Sequence, residues 1–444
     1  MPCKLARHSV PFRANMPNQE TKQCQNCQKD FTIEPEDFDF YAKIKVPPPT
    51  FCPECRLVRR MSFMDSLSLC WRTCGLCGKR TISRVYSNEK SPIVYCNKYW
   101  WSDSWDPLVF GTRYNFSQPF FEQFKALLSQ APHPNLINRN GVNSDYCNIV
   151  QNAKNCYLSF GGSFTEDTLY STWFDYVKSS MDSFWSTKNE LCYETIICKE
   201  SYGLKFSAFC IQCDNSFFLW DCRGCSNCFG CVGLRGKQHC ILNKQYSKEE
   251  YEALAPKIIQ HMSDMPYIDK KGRVYKYGEF FPAELSPFCY NETIAQEYFP
   301  LSAEAAAKAG YNWKQPEPRN YKIDLTCDQL PDNIKDVPDD IIGKVIECAN
   351  APASAEASAR QVSQCTEAFK IIEPELAFYR RMNLPLPRTC PNCRHYQRLK
   401  QCNPLRLWTR QCMAEGCPNT FQTSYAPDRP EIVYREACYL KEVV

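Results

Sequence analysis

Histidine is scarce in this sequence, with five among 444 residues. None of them stands in an HExxH frame or beside a GxSxG turn, and the chain contains neither a P-loop nor a GxGxxG turn. Those motifs are typical of zinc proteases, serine hydrolases and many nucleotide-dependent enzymes. Their absence makes a binding or structural protein the first expectation and an enzyme the weaker one.

A strong net charge and long apolar runs are also lacking. The formal net charge is +4, so the whole chain has no broad basic footprint for nucleic acid. No stretch approaches the roughly 18 continuous apolar residues of a membrane helix, and the first residues contain no apolar signal region. We therefore expect no membrane association and a cytoplasmic location.

Cysteine, in contrast, is abundant, with 30 residues. In a reducing compartment, paired cysteines serve metal binding or catalysis, and a disulfide framework would require export. Near the N-terminus, Cys24-x-x-Cys27 is followed by Cys52-x-x-Cys55. Two such pairs at this separation predict a four-thiolate Zn²⁺ site, with the second pair at the start of a helix.

The same pattern recurs near the other end of the chain at one constant offset. The matched residues are Tyr41 and Tyr379, Pro47 and Pro385, Cys52 and Cys390, Cys55 and Cys393, and Cys74 and Cys412. Shared order over this length indicates two copies of one module, each with two candidate metal sites.

Three of these four sites lack one expected thiol. Tyr99 stands where a CxxC partner of Cys96 is expected, whereas the second copy has Arg435 in the place of Cys96 and Cys438 in the place of Tyr99. In the remaining site Val362 replaces the counterpart of Cys24, and the candidates to complete it are Cys348, Cys402 and His395. The predicted metal ligands are Cys24, Cys27, Cys52, Cys55, Cys74, Cys77, Cys96, Cys365, Cys390, Cys393, Cys412, Cys417 and Cys438.

The middle of the chain follows a different pattern, in which a small residue or Cys precedes an aromatic or aliphatic one. Asn215, Asn227 and His239 begin such motifs twelve residues apart, and Cys213, Cys222, Cys231 and Cys240 are nine apart. Short regular strands with small inward residues favour a β-solenoid with a cysteine ladder that needs no metal. The alternative is an ordinary Cys-rich antiparallel sheet.

The predicted fold class is therefore α+β and multi-domain, with two treble-clef or zinc-ribbon-like modules flanking a Cys-rich β domain. The predicted segments are a flexible arm (1–23), the first zinc module (24–106), a helical connector (107–142), the Cys-rich β domain (143–245), a helical and Pro/aromatic-rich segment (246–325), a linker (326–364) and the second zinc module (365–444).

The segment from Cys24 to Arg56 resembles the zinc-binding treble-clef domain of bacterial proteins. The resemblance rests on Cys24, Cys27, Phe31, Phe40, Tyr41, Pro49, Cys52, Cys55 and Arg56, and continues through the middle segment DCRGCSNCFGCVGL and the ending TSYAPDRPEIVY. It implies zinc and a treble-clef fold, but it implies no activity. In such relatives the second site commonly has a complete CxxC, from which Tyr99 and Arg435 depart.

The function predicted from these features is a zinc-binding scaffold or interaction protein with an unidentified protein partner. One alternative is a nucleic-acid-binding protein that uses basic residues of both modules, among them Arg56, Arg59, Arg60 and Arg84 in the first and Arg394, Arg398, Lys400, Arg406 and Arg410 in the second. A second alternative is a thiol or Fe–S enzyme. It would use Cys240 with His239 and Asp221, or the CxxCxxC run from Cys222.

Overall fold

The computed structural model describes residues 19–65, 69–84, 92–142, 148–152, 154, 160–163, 181–184, 192–315, 321–351, 365–402 and 404–443. Most of the predicted arm lies outside these residues, as do Val362 and the rest of 352–364. The chain combines helices with small sheets and divides into two compact units. One unit comprises residues 1–60, 106–131 and 175–285, and the other comprises 61–105, 132–174 and 286–444. No helix among the described residues is long and apolar enough to cross a membrane.

Capping side chains mark the start of some of the helices. Ser247 and Glu250 form a reciprocal capping box at the start of the longest helix. Ser302 caps another helix, which ends at the left-handed Gly310. Among the described residues, the α-helices are Pro35–Ile44, Pro53–Met61, Asn97–Trp100, Phe120–Gln130, Lys248–Asp264, Ile294–Tyr298, Ala303–Ala309, Glu373–Met382, Pro391–Leu399 and Glu436–Val443.

Most antiparallel strands form short two-stranded hairpins. They are Glu20–Gln23 with Asp30–Ile33, Leu69–Thr73 with Arg80–Arg84, Cys240–Ile241 with Lys244–Gln245, Tyr267–Ile268 with Val274–Tyr275, Ile346–Glu347 with Ala368–Phe369, and Trp408–Gln411 with Thr420–Thr423. Two-stranded hairpins are marginally stable alone. Most of these lie next to a cysteine group or a helix, which supplies the missing packing.

Two parallel three-stranded sheets share a register of twelve residues. One sheet contains Asn138–Arg139, Asn148–Gln151 and Phe160–Ser163, and the other contains Met181–Phe184, Tyr193–Ile196 and Lys205–Ala208. A third parallel pair, Val94–Tyr95 with His133–Pro134, lies outside this register. From Lys199 onward, parallel bridges continue at every third residue to Ile241, each joining residues twelve apart. The observed pairing is therefore parallel, and the antiparallel alternative is wrong for this region.

Residues 192–243, which we call the triplet ladder, repeat a three-residue unit. The first side chain of each triplet is buried at every position except Lys237, which is half-buried. The second residue makes the parallel bridge, and the third has a positive φ. Positive φ recurs at every third residue from Glu194 to Leu242. The first positions hold Cys192, Thr195, Cys198, Ser201, Leu204, Ser207, Cys210, Cys213, Ser216, Leu219, Cys222, Cys225, Cys228, Cys231, Leu234, Lys237, Cys240 and Asn243.

Backbone hydrogen bonds account for this unit. The N–H of the second residue donates to the carbonyl of a first-position residue eleven residues later, as from Trp220 to Cys231 at 2.9 Å. The N–H of the third residue donates to the carbonyl of a second-position residue thirteen residues earlier, as from Gly233 to Trp220 at 2.9 Å. The N–H of the first residue is not used by these backbone bonds, so it needs a side-chain acceptor. At Cys213 that acceptor is Ser201 Oγ, at 3.2 Å. Small side chains carrying oxygen or sulfur are therefore favoured inside the ladder.

The ladder ends at Asn243, whose buried side-chain amide makes hydrogen bonds to Val232 in place of a further strand. Asn243 Oδ1 accepts the N–H of Val232 at 2.8 Å, and its Nδ2 donates to the carbonyls of Val232 at 2.8 Å and Pro107 at 3.1 Å. Aromatic side chains cover one flank, where Phe120 and Phe124 pack against Phe218 and Phe281. Phe120 and Phe124 belong to the helix Phe120–Gln130, which lies in the segment predicted as a helical connector and packs through its buried apolar side chains.

Candidate metal centres

Four cysteine residues from two local elements converge in the first unit. The Sγ atoms of Cys24, Cys27, Cys52 and Cys55 all lie within 4.8 Å of one another. Cys24 follows the strand Glu20–Gln23, and the turn after it closes through the bond from the Gln28 N–H to the Cys24 carbonyl at 2.9 Å. Cys52 immediately precedes the helix Pro53–Met61, so the predicted helix start is confirmed. This first tetrad is geometrically suited to a metal ion.

Hydrogen bonds orient the thiols of the first tetrad. The N–H of Cys52 donates to Cys24 Sγ at 3.3 Å, and Asn26 Nδ2 donates to Cys55 Sγ at 3.2 Å. Asn26 in turn accepts a bond from Arg273 Nη1 at 2.7 Å, and Arg273 is paired with the buried Asp269 at 2.6 Å. Such outer partners fix ligand orientation and help to stabilise thiolate charge.

Crowding perturbs the protonation of these thiols. A hydrogen bond with Cys24 raises the pKa of Cys52 to about 11, while the same contact lowers the pKa of Cys24 below its usual range. The group therefore favours one thiolate held by protonated neighbours. A bound cation would replace those protons, so metal affinity should rise with pH.

A second tetrad lies in the other unit and is entirely buried. It consists of Cys348, Cys365, Cys390 and Cys393, whose Sγ atoms lie within 4.8 Å of one another. Cys348 is therefore the residue that completes this site. Cys402 is exposed, and His395 Nε2 lies 3.0 Å from Glu297 Oε2.

Cys348 occupies the place that Cys24 has in the first tetrad. It follows the strand Ile346–Glu347, and its Sγ accepts the N–H of Cys390 at 3.2 Å, as Cys24 Sγ accepts that of Cys52. Its partner Cys365 is reached only after an insertion that contains 352–364. Residues from Leu330 to Cys348, within the segment predicted as a linker, pack in one apolar cluster with the tetrad.

Two further groups contain three thiols each. Cys74, Cys77 and Cys96 form one, and Cys412, Cys417 and Cys438 form the other. The predicted ligand residues are thus brought together in the groupings expected from the sequence. Their assignment as metal ligands stays a prediction, because proximity alone does not establish coordination.

Three of the arginine residues that the sequence offers for phosphate binding in the first copy are buried and paired. Arg59 and Arg60 are 2% exposed and pair with buried carboxylates, Arg59 with Glu279 at 2.9 Å and Arg60 with Glu194 at 3.2 Å. Arg84 is 0% exposed and lies 3.3 Å from Asp65. These three side chains stabilise the fold and are not accessible to a phosphate group. Sequence patterns could not separate buried from exposed arginine.

The CxxCxxC run is explained by the triplet ladder. Cys222, Cys225, Cys228 and Cys231 occupy successive first positions and are at most 1% exposed. They are not among the groups within the described residues whose ligand atoms come together for a metal. Burial raises the pKa of Cys210 and Cys222 well above the ordinary value, so these thiols remain neutral. Cys240 is also buried, and its Sγ lies 3.5 Å from the carbonyl of Gln238.

Comparison with known proteins gives no assignment. No family model matches the chain, and neither a curated protein nor a solved structure matches it significantly. The resemblance to bacterial treble-clef proteins therefore stays a prediction.

Proposed function

We propose that this protein is a structural zinc-binding protein that serves as a scaffold or interaction module. The observation that carries the proposal is the pair of four-cysteine groups, each with all Sγ atoms within 4.8 Å. Four thiolates in a closed site suit Zn²⁺ and leave no position for a substrate. Zinc is thus assigned a folding role at both tetrads.

The two tetrads are best interpreted as copies of a treble-clef module. In both, a helix begins directly after the third cysteine, at Pro53 in one and Pro391 in the other. The preceding helices also end alike, since Lys45 and Asn383 have left-handed backbones and donate to equivalent carbonyls. These local matches support duplication and add to the shared sequence order.

The triplet ladder is best interpreted as a β-solenoid with twelve residues per coil. Four three-residue sides account for a bridge at every third residue and for the register of twelve. The cysteine spacings of nine and twelve residues are then multiples of the three residues that make one side. We assign these thiols a packing role, because neutral cysteine behaves as a small buried hydrophobe.

Metal analysis of the intact protein tests the proposal. Protein purified without chelator should carry at least about two tightly held zinc ions, one for each tetrad. Cys52→Ser and Cys390→Ser should each remove about one ion. Cys402→Ser, which changes an exposed thiol outside the tetrads, should remove none. A zinc content unaffected by both tetrad variants would refute the assignment.

Nucleic-acid binding remains a second candidate because of one basic surface in the second copy. Arg398, Lys400 and Arg406 are exposed, and the Arg406 guanidinium lies 5.7 Å from the centre of the Trp408 ring. Cations beside an aromatic ring suit a single-stranded backbone and its bases. Changing Arg398, Lys400 and Arg406 to Gln should weaken binding of a single-stranded probe and reduce its salt dependence, with about one unit of slope lost per phosphate contact. Equal binding by the variant and the original protein would refute this candidate.

A further inference from the structure

The group formed by Cys74, Cys77 and Cys96 is a three-thiol site with a solvent-facing side. Cys74 follows the strand Leu69–Thr73, and Cys96 caps the short helix Asn97–Trp100. The N–H of Cys96 donates to Cys74 Sγ at 3.3 Å, and Cys77 Sγ lies 4.0 Å from Cys96 Sγ. Cys74 is buried, whereas Cys77 and Cys96 are half-buried. The site is therefore ordered on one side and accessible on the other.

Aromatic side chains form the closed side of this group. Tyr95, Trp100 and Trp105 belong to the same cluster, with the Trp100 and Trp105 ring centres 4.9 Å apart. Tyr99, in the first helical turn after Cys96, occupies the position from which a fourth thiol would be supplied. The chain thus provides three soft ligands and an aromatic wall at this site.

The corresponding group in the second copy has a cation at the place of one thiol. The N–H of Arg435 donates to Cys412 Sγ at 3.3 Å, the same contact that Cys96 makes with Cys74. The Arg435 side chain donates through Nε to Cys438 Sγ at 3.2 Å. A guanidinium cannot ligate a cation, and its charge opposes a divalent ion at this distance.

No cationic side chain donates to Cys74, Cys77 or Cys96 in the part of the chain that the structure describes. The two groups therefore differ in electrostatics although each has three thiols. The Cys74 group is a soft ligand set with no cation beside it, whereas in the Cys412 group a guanidinium contacts Cys438. That contrast distinguishes the two groups as sites for a cation.

We propose that Cys74, Cys77 and Cys96 bind a thiophilic divalent metal ion whose fourth coordination position is open to small ligands from solution, and that Arg435 excludes metal from the Cys412 group. The inference rests on the proposed zinc-binding function and extends it. A closed tetrad gives only a structural ion, whereas three protein ligands leave a position for exchange. The site is therefore a place for reversible binding of a thiol or an imidazole.

Anaerobic reconstitution of the full-length protein with Co²⁺ tests this assignment, because cobalt spectra report the ligands of tetrahedral sites. The original protein should bind about three cobalt ions, two in tetrads and one at the open site. Adding 2-mercaptoethanol or imidazole should change the spectrum of that third ion. Tyr99→Cys should keep the count and abolish the response to added ligand, because it supplies the missing thiol.

Arg435→Cys is the matched variant, since it restores in the second copy the residue that the first copy has at Cys96. It should raise the count to about four. Cys77→Ser should lower the count by about one ion and remove the ligand response. If a variant does not fold, the spectral change of the unmutated protein on addition of 2-mercaptoethanol or imidazole still tests the inference.

Two results would overturn the inference. One is a count of about two with no spectral response to either added ligand, and the other is a count of about four before Arg435 is changed. Failure of the underlying zinc assignment would look different. In that case Cys52→Ser and Cys390→Ser would leave the cobalt count unchanged, whatever happens at Cys77.

Discussion

At the scale of single residues, the positions with positive φ differ in what they demand. Gly230 has φ of 64°, and a Cβ placed there would lie 2.7 Å from Phe120 Cε2. Gly236 has φ of 55°, but a Cβ there would meet nothing within 4 Å. Both glycines occupy the third position of the triplet. A side chain at either would strain the backbone, but only a side chain at Gly230 would also collide with a neighbour.

We therefore predict a large difference between two alanine substitutions. Gly236→Ala should reduce the free energy of unfolding by about 1 kcal/mol, which is the cost of a left-handed non-glycine backbone. Gly230→Ala should cost about 2–4 kcal/mol, because displacement of the Phe120 ring adds to that strain. Urea denaturation of both variants checks the order. Equal losses would mean that the Phe120 ring moves without cost.

The cysteine residues also divide by environment. Burial raises the pKa of Cys210 and Cys222 well above the ordinary value, so these thiols remain protonated where exposed thiols ionise. At about pH 8 iodoacetamide should label Cys402, which is exposed, and leave Cys210 and Cys222 unlabelled. Peptide mass spectrometry measures this, and labelling in concentrated urea is the control.

The same pKa shift predicts how ladder stability depends on pH. Above about pH 9 the unfolded thiols lose protons while the folded ones keep them, so the unfolded chain binds fewer protons. The contribution of these thiols to stability is therefore fully present below that pH and declines as the pH rises. If Cys210 and Cys222 stabilised the protein more at about pH 10 than at about pH 8, the assignment of neutral packed thiols at these two positions would be contradicted.

At the scale of elements, the helix Pro53–Met61 directs two arginines into the interior. Arg59 lies 2.9 Å from Glu279 and 3.6 Å from Glu194, and its guanidinium lies 4.0 Å from the centre of the Phe51 ring. Glu279 also accepts hydrogen bonds from the N–H and hydroxyl of Thr50. Buried ion pairs, which water does not screen, therefore connect this helix to Glu194 and Glu279.

Loss of one charge from this network should be costly. Arg59→Met should lower the free energy of unfolding by about 3–5 kcal/mol, since it leaves the buried Glu279 without its cation and Glu194 with Arg60 alone. The control is Lys248→Met, which breaks an exposed pair with Glu252 in the same unit and should cost under about 0.5 kcal/mol. Thermal or urea denaturation compares the two variants. Similar stabilities would show that the buried pair contributes no more than a surface pair.

Some helix ends follow from local signals in the sequence. Ser247 with Glu250, and Ser302 with Gly310, mark helix ends because capping depends on neighbouring residues alone. The twelve-residue spacing of the ladder could be predicted from the sequence. The three-residue unit could not, because its third position holds residues as different as Phe, Asn and Gly. Cys348 could be named only as one of three candidates, since the insertion after it removes the CxxC spacing. Burial of Arg59 depends on Glu194 and Glu279, which are distant in sequence.

At the scale of the whole molecule, two kinds of stabilisation operate in different parts of the chain. The two tetrads depend on a proposed metal ion, whereas the triplet ladder depends on its own hydrogen bonds and packed thiols. A structural zinc ion contributes on the order of 10 kcal/mol to folding. Metal removal should therefore affect the protein unevenly.

We predict that a strong chelator will loosen both tetrads and leave the ladder folded. Hydrogen exchange of the full-length protein, read by mass spectrometry, should accelerate in peptides around Cys24–Cys55 and Cys348–Cys393. Peptides from 192–243 should keep their protection, because each repeat bonds to the next without a metal. Readdition of zinc should restore slow exchange, which separates metal loss from irreversible damage. Unchanged exchange at both tetrads would mean that no metal holds them, and equal loss in the ladder would mean that its stability depends on the metal after all.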